Sequence, residues 1–176
     1  MNLTEELALV KQAQTGNKNS LEQLCDYITP KLYGYLLNTL RNSEIAEDLL
    51  QETWLKAIGA LNSFKPRGVR FSAWIFAIAR NVCREYWRNK KPNISISELF
   101  IEPSDGSVYT QLVEEKISIE TVFSKISADD QELLRLRYIA ELSFKEIALI
   151  LTISPLAARV RLYRTLVRAR SILNEK

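Results

Sequence analysis

The sequence predicts an all-α protein: two helical domains joined by a flexible linker. Three observations lead there. Apolar residues recur at helical spacing along most of the chain, punctuated by caps and turn formers, with no β-hairpin signal. Residues 92–111 lose that period and carry Pro, Ser, Asp and Gly, as a linker does. Charge also alternates in four blocks: net −3 over 1–64, +7 over 65–91, −7 over 92–134 and +6 over 135–176. The predicted division is 1–91, a linker over 92–111, and 112–176.

The elements follow in order. Leu3, Leu7, Val10 and Ala13 mark a first helix, which Gly16-Asn17 ends. Ser20 caps a second, to about Ile28; Pro30 then sits in the first turn of a third, where Leu32, Tyr35, Leu36 and Leu40 share a stripe. Asn42 or Ser43 caps a run from Glu44 to about Leu61, its stripe formed by Ile45, Leu49, Leu50, Trp54 with Leu55, Ile58 and Leu61. Pro66 and Gly68 mark a loop, and Ser72 opens the next helix, to about Lys91. Beyond the linker, Leu112–Lys125 is amphipathic, and Ser127-Ala-Asp-Asp starts a helix over Asp129–Ile139 with acids at its positive end. Ser143 and Glu146 have capping-box spacing. Ser154-Pro155 places a cap before a Pro at the first helical position and opens a basic helix to about Leu173.

Composition narrows the function. The 176 residues include no histidine, the commonest general base and metal ligand, and no Gly-rich phosphate loop. Cys25 and Cys83 form no CxxC pair, which fits buried thiols in a reducing compartment. Met1–Gln14 lacks the pattern of a signal peptide, and no window approaches the ~18 apolar residues of a membrane span. The expectation is a soluble cytoplasmic protein that inserts in no membrane, needs no metal or cofactor and has no catalytic residues. Two basic blocks split by an acidic one suggest two polyanion-binding surfaces.

Residues 143–165 have the layout of a helix-turn-helix. A short helix, a tight turn at Thr152-Ile153-Ser154 and a longer helix can close a small core with Ile147, Ala148, Leu151, Ile153, Ala158 and Leu162. Arg159, Arg161, Arg164, Arg168 and Arg170 are then expected to point outward, as guanine and phosphate contacts require. In the other half, Phe71–Lys91 interleaves aromatics with bases, the composition that holds an unstacked single strand. Arg80, Asn81, Arg84 and Arg88 fall at helical spacings there; Trp74, Ile75 and Ile78 read as core, and Tyr86 and Trp87 stay undecided.

These motifs resemble those of the extracytoplasmic-function sigma factors of the sigma-70 family, subunits of bacterial RNA polymerase. Leu142–Ser154 with Arg159–Arg164 looks like sigma region 4, and Asp129–Tyr138 resembles the helix before it. Ala46–Ala57 resembles region 2.2, and Phe71–Lys91 is similar to regions 2.3 and 2.4. The resemblance implies that Asp48, Gln51, Glu52 and Lys56 bind core polymerase at the beta-prime clamp helices. It implies a −10 DNA surface of Lys65, Arg67, Arg70, Phe71, Arg80, Asn81, Arg84 and Arg88. It implies a −35 surface of Ser154, Pro155, Leu156, Ala157, Arg159, Arg161 and Arg164. It further implies the beta flap, promoter DNA and an anti-sigma factor as partners. Two departures matter: Ala157-Ala158 stands where the family usually has Thr-Val, and the loop Phe64–Phe71 is one residue longer and lacks the family's acid. The promoter sequence is therefore not carried over.

Two rivals remain on the residues alone. A stand-alone helix-turn-helix regulator accounts for 129–173 but leaves 46–57 and 71–91 unused. A nuclease would need metal-binding carboxylates, for which Asp48 and Glu52 are the only candidate pair.

Overall fold

A computed structural model describes residues 1–66, 68–90 and 121–174; the expected linker, Arg67 and most of the expected 112–125 helix lie outside them. All regular structure in the described residues is helical.

Helix α1 (Leu3–Gln14) begins with a capping box between Asn2 and Glu5. Helix α2 (Lys18–Leu40) corrects the expectation of two shorter helices, because it runs unbroken through Pro30 from an Asn17 cap. A proline inside a helix costs roughly 3 kcal/mol. Here Leu24, Ile28, Leu32, Tyr35 and Leu36 are all almost wholly buried along one stripe, and each buried side chain is worth about 1.5–3 kcal/mol. Packing outweighs the break. Ser20, expected as a cap, instead donates its hydroxyl to Gln12 Oε1 at 2.6 Å, tying α2 to α1.

Helix α3 (Ser43–Gly59) is capped by Asn42. Its buried residues are Ala46, Leu49, Thr53 and Ala57, so the inward stripe is rotated from the expected one and Leu55 and Ile58 stand 73% and 46% exposed. A short 3-10 turn at Leu61–Ser63 leads to α4 (Phe71–Lys90). Two contacts from α1 hold this connection. Gln14 Nε2 donates to the carbonyls of Leu61 and Phe64 at 2.9 and 3.0 Å. Glu6, fully buried, accepts from the Ser72 backbone at 2.9 Å and its hydroxyl at 3.1 Å, so a distant acid caps α4. Burial pushes the Glu6 carboxyl above its ordinary value, against the pull of those hydrogen bonds.

In the C-terminal half, Ser127 caps α5 (Ala128–Leu134), which widens into a π-helical turn over Arg135–Ile139 instead of continuing as α-helix. Helix α6 (Phe144–Leu151) carries the expected Ser143–Glu146 capping box. Thr152, at φ 57°, turns the chain, and Ile153 N–H closes the turn on the Ala148 carbonyl at 3.0 Å. Helix α7 (Pro155–Asn174) then starts under the Ser154 hydroxyl, which accepts from Ala157 N–H at 3.0 Å.

The two halves share one buried core. Helix α2 packs on the π-helical turn, and α4 on α6. At Gly34 of α2 a Cβ would rest in ordinary van der Waals contact with the Ile139 side chain, at 3.5 Å.

Candidate polymerase and nucleic-acid interface

Three surfaces carry the residues picked out in the sequence. The first is the outer flank of α3. Asp48 and Gln51 are exposed there and Glu52 is half-buried. Lys56 pairs with Glu52 at 2.9 Å and with Glu85 of α4 at 2.6 Å, so it ties two helices together as well as facing solvent. Leu55 lies four residues from Gln51 and seven from Asp48, hence on their face. The apolar stripe of the sequence places it inward. A single exposed leucine is ordinary on a protein surface; what singles out Leu55 is its place on the flank of Asp48 and Gln51, which its spacing to Gln51 marks.

The second surface is α4 with the loop before it. Asn81, Arg84 and Arg88 stand exposed in one row, and Lys65 is exposed on the loop. Phe71 must be corrected: only 1% of it is exposed, so it offers no contact surface. It forms a floor instead, with Phe64 at 5.1 Å and Trp74 at 5.3 Å between ring centroids. Above this aromatic cluster lies a groove of about 330 Å³ lined by Phe64, Lys65, Val69, Trp74 and Ala77, with Leu149 and Ile150 of α6 as its far wall. Tyr86 and Trp87 are half-buried against each other, centroids 5.1 Å apart, with Lys90 Nζ 2.7 Å from the Tyr86 hydroxyl.

Arg70 and Arg80 are not free. Arg70 forks onto Glu146, with Nε at 2.8 Å and one Nη at 2.9 Å, and reaches the Glu141 carbonyl at 3.0 Å. Burial alone would raise the Glu146 carboxyl, but the Arg70 guanidinium and the Ser143 cap pull it down to about 2. Arg80 lies 3.6 Å from Glu132, which also accepts from the buried Tyr35 hydroxyl at 2.7 Å. Arg135, itself buried, donates to Asn38 at 2.9 Å across the same seam.

The third surface is α7. Ser154, Pro155, Leu156, Ala157, Arg159 and Arg164 are exposed as expected. Arg161 is a correction. It turns toward α5, with Nε 2.7 Å from Asp130 and Nη 3.4 Å from Asp129. Asp130 is buried at the N-terminal turn of α5, and burial would raise its carboxyl, yet the Arg161 and Ser127 hydrogen bonds hold it below its ordinary value. The face of α7 opposite the core carries Leu156, Val160, Tyr163 and Val167, all exposed, with Arg159 and Arg170 on one side and Arg164 on the other. The arginines thus flank this face instead of filling it.

Among the described residues, no group of three or more metal-ligating side chains is gathered, and no helix is long and apolar enough to cross a membrane.

The family model "Sigma-70 region 2" matches residues 24–92 and "Sigma-70, region 4" matches 116–168. The chain is 28% identical to the RNA polymerase sigma factor CarQ of Myxococcus xanthus, over 94% of this chain and 96% of that one. It is also 28% identical to the ECF RNA polymerase sigma factor SigM of Bacillus subtilis, over 88% and 96%. Its fold is similar to that of CnrH, solved with the cytosolic domain of CnrY, at a TM-score of 0.75 and 23% identity, covering 98% and 99% of the two chains. It is similar also to the sigma factor RpoE of Bartonella quintana, solved with the anti-sigma factor NepR, at 0.66 and 24% over 88% and 96%.

Proposed function

The chain belongs to the extracytoplasmic-function sigma factors of the sigma-70 family, alternative sigma factors that direct promoter recognition by RNA polymerase, and we propose how its residues divide that work. Residues 1–91 form the unit that binds core polymerase and reads and melts the −10 element; 112–176 form the unit that reads the −35 duplex; 92–111 join them. The exposed flank of α3, with Asp48, Gln51, Glu52 and Leu55, docks on the beta-prime clamp helices. Asn81, Arg84 and Arg88, joined by Lys65, Arg67, Arg70 and Arg80, hold the opened −10 strand, and the groove over Trp74 receives a base. The first turn of α7, with Ser154, Leu156 and Ala157, enters the −35 major groove, while Arg159 and Arg164 hold its phosphates.

The observation that carries this reading is the pairing of two DNA-type surfaces on one chain. One is a capped helix-turn-helix whose leading turn is exposed. The other is a row of bases and Asn beside an aromatic groove. Duplex recognition uses the first kind of surface and single-strand capture the second. Promoter opening requires both.

The protein contributes no catalytic residue; polymerase performs the chemistry, in the cytoplasm. An anti-sigma factor holds it in reserve, a reading supported by the solved complex of the similar RpoE with NepR. Co-elution with sigma-free bacterial core polymerase, followed by run-off transcription from a promoter library, tests the whole. Stable association with selective initiation is expected. Duplex binding without association would reassign the chain to a stand-alone regulator.

A further inference from the structure

Resting on the reading of the groove over Trp74 as the receiver of an opened base, we propose that helix α1 belongs to the strand-capture apparatus: Gln14 and Glu6 are positioning residues that hold the groove's aromatic floor in place.

Local sequence alone does not fix that floor. Phe64 and Phe71 lie at the two ends of a connection that carries Pro66 and Gly68, and Gly68 takes a φ of 72°, which only glycine adopts freely. Both phenylalanines are nonetheless buried, with ring centroids 5.1 Å apart. The Trp74 ring lies 5.2 Å from the first and 5.3 Å from the second.

What holds them is α1. Gln14 aims one amide nitrogen at two carbonyls, Leu61 at 2.9 Å and Phe64 at 3.0 Å. The backbone of the first phenylalanine is thus fixed by a side chain 50 residues earlier. Glu6, fully buried, accepts from the Ser72 N–H and hydroxyl, and so fixes the backbone immediately after the second. The two side chains leave the same helix about two turns apart. Neither lines the groove, so they act on DNA only through the floor.

Packing does not account for them. Val10 and Ala13 already bury α1 against the core. A carboxyl group and an amide taken out of water beside them cost desolvation unless they are hydrogen-bonded, and the bonds of both go to this connection. Helix α1 also lies ahead of residues 24–92, which match region 2.

The test uses holoenzyme assembled from the full chain and bacterial core polymerase. Its templates are a promoter taken from run-off selection and the same promoter mispaired over the region to be melted. Gln14→Met keeps the length of the side chain and removes the donor. At saturating enzyme it is expected to lower permanganate-reactive open complexes about tenfold on the paired promoter, and initiation on the mispaired one less than about twofold. Gln14→Lys, whose ammonium can donate to both carbonyls, is expected to restore opening to within about threefold of wild type. Ser20→Ala loosens α1 elsewhere, by removing the contact with Gln12 at 2.6 Å, and should open promoters like wild type. Wild-type opening by Gln14→Met would overturn the positioning role. So would an equal loss on both templates, or the same loss in Ser20→Ala, since those are the marks of a merely weakened fold. Fluorescence anisotropy of the chain without polymerase, on a labelled single-stranded DNA oligonucleotide and on its duplex, makes the inference independent of initiation. Gln14→Met is expected to lose affinity for the strand and keep it for the duplex. That loss in a chain whose wild type does not initiate defeats only the functional reading. Initiation with no effect of Gln14→Met defeats only the positioning role.

Discussion

Arg70 and Glu146 stand 76 residues apart in the chain and meet as a bidentate pair, with N–O distances of 2.8 and 2.9 Å. Glu146 at the same time closes the capping box of the first helix of the helix-turn-helix, accepting from Ser143 N–H at 2.7 Å. One carboxylate therefore serves a local task, starting α6, and a global one, joining the two halves.

Its acidity sets a pH dependence. The folded Glu146 carboxyl lies at about 2, below its ordinary 4.5. A depressed folded value means stability present above pH 4.5 and lost as pH falls toward 2, up to about 3 kcal/mol. Urea unfolding from pH 6 down to pH 2 should show wild type losing stability that Glu146→Gln does not lose. Parallel curves would refute the assignment.

Glu6 behaves in the opposite sense. Its folded value is raised, so its contribution is greatest below its ordinary range and declines as pH rises through the folded value. Glu6→Gln should keep an acceptor for Ser72 and gain melting temperature relative to wild type between pH 4 and pH 7. Glu6→Ala removes the cap of α4 and should cost roughly 1–2 kcal/mol at either pH.

Arg161→Ala should act on stability first. It leaves the buried Asp130 without its closest partner, a loss of roughly 1–2 kcal/mol, moderated because the guanidinium is partly solvated. Arg164→Ala should instead leave melting unchanged, and Arg159→Ala, which gives up a guanidinium 5.4 Å over the Phe144 ring, should cost at most about 1 kcal/mol; both should weaken duplex binding, and each lower the salt slope by about 1. A flat melting response in Arg161→Ala would return that residue to the DNA surface.

Leu55→Asp should leave the fold within about 0.5 kcal/mol of wild type, because the side chain is 73% exposed. Affinity for core polymerase, measured by competition with a second sigma factor, should fall at least about tenfold if Leu55 is the apolar centre of that contact. Unaltered competition would shift the contact to another face.

Asn81→Ala should reduce open complexes about fivefold, the scale of one hydrogen bond, while −35 duplex binding stays intact. Permanganate reactivity of the melted strand reports the first and anisotropy on the duplex the second. The reverse pattern would invert the roles of the two halves.

Most of the helices were legible because their determinants are local. Asn42, Ser143 with Glu146, and Ser154 with Pro155 announce helix starts through bonds spanning three or four residues, and the structure has all of these starts. The helix-turn-helix and the exposed row of Asn81, Arg84 and Arg88 followed from the same periodicity. What tertiary structure decided were choices between faces and partners. Pro30 stays inside a helix because a buried stripe outweighs its missing N–H. Phe71 became floor, and Leu55 became surface, because neighbouring helices determine which side of a helix is covered. Arg161 turned to Asp130, Arg70 to Glu146 and Glu6 to Ser72 because a long charged side chain follows the nearest opposite charge or unpaired donor. Sequence spacing specifies where a side chain leaves its helix. It does not specify what waits there, since that neighbour arrives from 31, 76 or 66 residues away.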